Sequence, residues 1–436
     1  PLWSRGLGDV YKRQSQSHSQ PEVTEVFGTV LKAWTESDFA KRLLPGKTVA
    51  IGVGSRGIAG VAQMVKATIA FVQGAGATPF VVAAMGSHGG ANAKGQRELL
   101  AEYGVSEEEL GVTVKTDMDV EVIGTNSWGE PVYWDKNALH ADHVVTVARV
   151  KPHTDFRGSY ESGIVKMLVI GLGKREGASQ HHVWGISGLR DMMPKTVEVI
   201  LGKTHFEAGL AIIENAREKT AMVEVVDKSK VLSREPELLQ LARDWMARLP
   251  FDQCDLLIVG EVGKNYSGAG IDPNVVGRLL METVPEEPIP AITRMCALDL
   301  APESHGNATG VGIADLTTDR LLASIDPIPF RMNNLTARFL WRSKLPLGFP
   351  NDKECILAGL ESCWRPRWNE IRMAIIPNSL ELESIWISHA LYTDIQSRPE
   401  VKLEGDFREI PFDPLGNIKQ TDLFPHALCS RRLSPH

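Results

Sequence analysis

Short apolar runs that end in glycine and are followed by helical stretches constrain this chain most. Thr48 to Gly54 is β-rich and closes on glycines. Ile58 to Gln73 has apolar residues at helical spacing, Gly74-Ala-Gly76 stops it, and Thr78 to Ala84 is the next strand. Ser106 to Leu110 reads as a short acidic helix, and Ala141 to Val150 as a buried strand. Strands alternating with helices call for a parallel sheet with helices packed on it. A helix over Glu235–Leu249 follows, with Pro236 in its first turn, then a strand from Cys254 to Gly260.

At 436 residues the chain is long enough for two domains. The expected fold is α/β, with two α/β domains, mainly parallel sheets and an active-site cleft between them. The boundary is placed near Pro250, where the helix breaks. Residues 21–250 then form the N-terminal domain, and 251–424 the C-terminal one. Residues 1–20 are polar and aperiodic and are set aside as read-through, and 425–436 as a disordered tail.

Hydrophobic residues make up 43% and charged residues 23%, enough for a packed core. A net charge of -7 does not favour nucleic acid, which calls for a clustered basic face. No apolar run is long enough to span a bilayer, and the start lacks a signal-peptide pattern, so a cytoplasmic location is expected. The five cysteines form no C-x-x-C pair, which reads as a reducing compartment without a zinc ribbon or iron–sulfur cluster.

In open α/β sheets, ligands bind beyond the carboxyl ends of the strands. Three motifs fall there: Gly54-Ser-Arg-Gly57, Met85-Gly-Ser-His-Gly-Gly90 and Lys151-Pro-His-Thr-Asp-Phe156. Gly52-Val-Gly-Ser-Arg-Gly57 also matches a dinucleotide fingerprint. The second strand, however, ends in Ala83-Ala84-Met85 and supplies no acid for a ribose. The glycines serve a tight turn or, with Arg56, an anion site.

His88, His153 and His182 sit in or after glycine- or proline-marked loops of one domain. No H-E-x-x-H or G-x-S-x-G accompanies them, which leaves histidine acid–base chemistry with a metal on one imidazole as an option. Lys166 lies among apolar residues. It either snorkels out of a helix or serves a site as a charge or a covalent anchor.

Gly-Ser-Arg-Gly, Met-Gly-Ser-His-Gly-Gly-Ala, Lys-Pro-His-Thr-Asp-Phe-Arg-Gly, Glu-Ser-Gly-x-x-Lys-Met and Gly-Leu-Gly-Lys-x-x-Gly-Ala-x-x-x-His occur in that order. Together they resemble the nickel-pincer lactate racemase superfamily, over roughly residues 45 to 320. The resemblance implies a racemase or epimerase of a 2-hydroxy acid, a larger sugar acid being as open as lactate. It also implies a nickel-carrying pyridinium mononucleotide attached covalently through Lys166, and cofactor-biosynthesis proteins as partners. By motif order, His88 and His153 match the paired catalytic histidines and Arg56 the substrate arginine. His182 matches the nickel ligand, with His181 as the alternative. The second domain lacks the family's substrate lysine and Tyr-Gln pair, and Lys264 or Arg278 is expected to substitute; His305 is either a further cleft residue or a satisfied loop histidine. Two other readings stay open: a binding homologue without catalysis, and a metal-assisted lyase or dehydratase of sugar acids.

Overall fold

The computed structural model describes residues 11–16, 20–54, 57–282, 286, 288–399, 401–427 and 429. Contacts divide the chain into Gln20–Met246 and a discontinuous unit, Pro1–Ser19 with Ala247–His436. Strand β1 (Tyr11–Gln16) belongs to the second of these by its pairing.

The continuous unit holds β2 (Thr48–Val53), β3 (Thr78–Ala83), β4 (Val114–Lys115), β5 (Val120–Thr125), β6 (Pro131–Asp135), β7 (His143–Arg149), β8 (Phe206–Glu214) and β9 (Thr220–Asp227). Its main sheet runs β4-β3-β2-β7-β8-β9, parallel from β4 to β8, with β9 returning antiparallel. β2 and β7 are buried on both faces, which suits their unbroken apolar sequences. Alternate residues serve two cores. Val49, Ile51, Val145 and Val147 pack with Trp34 and Phe71 on one face. Ala50, Val144 and Ala148 pack with Trp134, Leu168 and Leu238 on the other. The result is a sheet between two helical layers, and β5–β6 is a separate hairpin.

The helix expected over 235–249 begins earlier, at Val231, and ends at Trp245. Pro236 therefore lies inside it and cannot donate to the carbonyl four residues back. That carbonyl, Leu232 O, instead accepts the Tyr160 hydroxyl at 2.7 Å. A tertiary donor fills the gap that proline leaves, so the helix extends through it.

The discontinuous unit adds β10 (Gln253–Val262), β11 (Ala291–Leu300), β12 (Leu316–Thr318), β13 (Leu347–Phe349), β14 (Met373–Ile376), β15 (Ser384–Ser388) and β16 (Val401–Arg408). Their order is β13-β12-β11-β10-β14-β15-β1-β16. The first five are parallel; β15, β1 and β16 are antiparallel to their neighbours. Both sheets are thus mainly parallel α/β sheets, as expected.

The two ends of the chain differ from the sequence reading. Tyr11–Gln16 lies between β15 and β16. Its polar sequence carries no apolar alternation, but a backbone ladder needs none. Ala427 and Cys429 pack into the core with Trp386 and Phe424. No described helix is long and apolar enough to cross a membrane.

The five cysteines are buried thiols. Its interaction with Cys355, together with burial, pushes Cys296 well up; burial pushes Cys254 up, and Cys363 to about 12. These three should react with a thiol reagent at pH 8 on the order of a thousand-fold more slowly in the native protein than in the urea-unfolded chain. Native labelling at the unfolded rate, followed by peptide mass, would contradict that burial.

Candidate active site

β3, β2 and β7 are neighbours, so the loops that leave their carboxyl ends emerge side by side. Ser55 and Arg56, in the first loop, lie outside the described residues. The flanking Gly54 is where a helix comes close: a Cβ there would stand 2.8 Å from Met167 Cε. The second loop turns on Gly86, Gly89 and Gly90, all at positive φ. A Cβ on Gly89 would meet Gln96 N at 2.7 Å. Buried Gln96 holds this loop, donating to Gly86 O at 3.0 Å and His88 O at 3.2 Å. His88 itself is exposed.

The third loop is braced from beneath. Glu161, 1% exposed, accepts the His153 amide at 2.7 Å and the Gly158 amide at 2.9 Å. Arg243 Nη2 reaches the same carboxylate at 2.6 Å. The His153 ring lies against Phe156, with centroids 4.7 Å apart. Its Nδ1 accepts the Asp155 N–H at 3.0 Å. With Nδ1 so occupied, the neutral ring carries its proton on Nε2.

Lys166 ends the short helix Ile164–Lys166 and is half-buried. A π-turn, Met167–Gly171, continues it, and the helix Lys174–Val183 follows with His181 and His182. This segment is bonded to both loops. Gly86 N–H donates to Gly171 O at 3.1 Å, and Lys151 N–H to Ser162 O at 3.0 Å. The elements carrying His88, His153 and Lys166 therefore meet at one edge of one sheet. His181 is committed to the core: Nδ1 lies 2.8 Å from Gly177 O and Nε2 3.1 Å from Thr196 Oγ1. Burial lowers its pKa. His182, beside it, is half-buried.

Two ion pairs that no sequence motif announces hold this edge. Lys174, fully buried, lies 2.9 Å from Asp135 and donates to Ala83 O at 2.7 Å. Glu214 lies 2.5 Å from Arg149, at the end of β7. It also accepts the Ala59 amide at 2.8 Å, just past the arginine motif. No local pattern marks these contacts, since Asp135 and Lys174 meet only through the fold.

The other unit treats its two candidates differently. Lys264 follows β10, with its amide on Ser304 Oγ at 2.9 Å and its amine on Gly268 O at 2.5 Å. Arg278 corrects the expectation of substrate binding. Its guanidinium bonds Ile292 O, Thr293 O, Ile313 O and Asp315, at 2.8 to 3.0 Å. These lie at the amino ends of β11 and β12, opposite the end from which ligand loops emerge. Four structural acceptors account for a side chain that sequence leaves ambiguous. His305 is exposed in a turn at φ +46°. Among the described residues no group of three or more His, Cys, Asp or Glu is placed to hold a metal.

Fold and motifs together define a two-unit α/β protein with polar loops gathered at the carboxyl edge of a parallel sheet. Residues 4–191 match the family described as lactate racemase N-terminal domain. That stretch of the chain is similar to the N-terminal domain of lactate racemases. The fold of the chain is similar to the lactate racemase apoprotein of Thermoanaerobacterium thermosaccharolyticum, with a TM-score of 0.50 and 11% identity, over 82% of this chain and 92% of that one. No curated protein matches the chain.

Lys174→Met leaves the Asp135 carboxylate buried without its counter-ion and should cost about 3–5 kcal/mol in urea unfolding. Adding Asp135→Asn should recover part of that loss; full additivity would mean the pair is not coupled. A second expectation concerns Glu235, which burial pushes up to about 7 from the ordinary 4.5. Folding then tightens proton binding, so its stabilisation is complete below pH 4.5 and is lost as pH rises through 7. From this group the unfolding free energy should fall on the order of 3 kcal/mol between pH 4.5 and 8. Glu235→Gln should flatten that part of the urea-derived curve, and an unchanged slope would refute the assignment.

Proposed function

We propose that this chain is a racemase or epimerase of a 2-hydroxy acid, with its chemistry at the carboxyl edge of the Gln20–Met246 sheet. One observation carries the reading: the two histidine loops and the Lys166 segment are hydrogen-bonded together at that edge, through Gly86 to Gly171 and Lys151 to Ser162. Further support comes from the match of residues 4–191 to the lactate racemase N-terminal domain.

A nickel-pincer nucleotide brings its own sulfur donors and asks the protein for one lysine and one imidazole. Lys166 and half-buried His182 suit that request, whereas both ring nitrogens of His181 are engaged in the core. The described residues offer no three-ligand cage, and a group of this kind needs none. When bound, it would supply an electron-poor pyridinium able to take hydride from the substrate carbon. The chain's own residues would do the rest. Arg56 grips the carboxylate as a bidentate fork. His88, on its glycine loop, takes the hydroxyl proton, and on return the oxygen takes a proton from His153 in its imidazolium form; proton exchange with solvent then resets both rings. Loading implies cofactor-making proteins as partners, and we place the enzyme in the cytoplasm.

The test is a screen of single enantiomers of 2-hydroxy acids in heavy water, with protein co-produced with cofactor-making enzymes. The expected result is inversion with the Cα hydrogen retained. His88→Ala and His153→Ala should each lose about 10²–10⁴-fold in rate at unchanged nickel content. Loss of the Cα hydrogen to solvent, or no inversion by nickel-loaded protein, would overturn the reading.

A further inference from the structure

The helix that presents Lys166 starts at a residue unable to cap it. Its N-cap is Gly163, with no side chain to offer the free N–H groups of the first turn. The acceptor comes from far along the chain. Glu235, on the helix Val231–Trp245, accepts the Val165 N–H through Oε2 at 2.9 Å. The carboxyl fills the place of a side chain at Gly163, where a Cβ would stand 2.6 Å from Oε1. Gly209 on β8 makes matching room, for a Cβ there would stand 2.6 Å from Ile164. Strand and carboxyl thus close on the same turn from two sides.

A serine or asparagine at position 163 would cap this turn without burying a charge. The chain instead has a glycine there and a fully buried carboxyl with no cation against it among the described residues. Such an arrangement is costly unless a particular geometry is being held. The same helix supports the other candidate. Arg243, eight residues on, bonds Glu161, which holds the His153 amide.

We propose that Val231–Trp245 is a common strut for the site, with Glu235 the positioning residue of Lys166 and Arg243, through Glu161, that of His153. The proposal rests on reading Lys166 as the attachment lysine.

The test measures Lys166 in the apoprotein and needs no cofactor. Acetic anhydride labelling at pH 8 and 20 °C, followed by peptide mass, gives the ratio of Lys166 to exposed Lys219. In Glu235→Ala the ratio should rise about fivefold, the population change that loss of a typical cap brings. Glu235→Gln keeps an oxygen for the Val165 N–H and should restore the wild-type ratio. Should the alanine variant not fold, Glu235→Asp, one methylene short of the amide, replaces it with the same expected rise. A purely structural residue would lower the melting temperature and leave the ratio unchanged, and that result overturns the proposal. A mass adduct on Lys166 in co-produced wild type reports separately on the attachment reading. Its absence sinks that reading, while the labelling ratios still decide whether Glu235 positions the lysine.

Discussion

The candidate site depends on one buried ion pair. Lys174 has no exposed surface and lies against Asp135, while its amine also holds the carbonyl of Ala83, the last residue of β3. Asp135 in turn caps the short helix after β6 by accepting the Ala138 N–H at 2.7 Å. One ammonium therefore fixes the sheet edge, the β5–β6 hairpin and the start of the helix that carries His182. Two charges withdrawn from water tolerate little displacement, because separating them leaves each buried without its counter-ion. That rigidity suits a place where two loops and a helix have to keep register with one another.

Glycine does the complementary work. Gly54 admits Met167, and a Cβ on Gly171 would stand 2.7 Å from Ala84 O. The Met167–Gly171 segment is thereby pressed against the ends of β2 and β3, closer than any side chain would allow. π-turns are uncommon and tend to mark functional segments. Here the turn follows directly on Lys166, and its last residue accepts the amide of Gly86 in the His88 loop.

Much of this was legible in the sequence. β2, β3, β7 and β10 fall where apolar runs bounded by glycine and polar breaks put them, because a strand buried on both faces leaves so plain a trace. The loops bearing His88 and His153 were legible for the same reason, since they follow such strands. The support beneath them was not. Glu235, Glu161, Lys174 and Glu214 act on residues far from them along the chain or on bare backbone, and an isolated charge in a sequence does not declare its partner. Arg278 shows the converse: a lone arginine after a loop reads as a ligand, yet carbonyls at the amino ends of two strands claim it. The early start of the Val231 helix was hidden by Pro236 until Tyr160 supplied the missing donor.

The position of β1 has a consequence for how the molecule is made. Tyr11–Gln16 leaves the ribosome long before its partners, Ser384–Ser388 and Val401–Arg408. Everything from Gln20 to Met246 can collapse on its own contacts while that segment waits. Closing a loop of this length is entropically slow, so the eight-stranded sheet should be the late step in maturation. During that interval the flanks of Ser384–Ser388 and Val401–Arg408 are open backbone, the period in which a nascent chain most needs a chaperone.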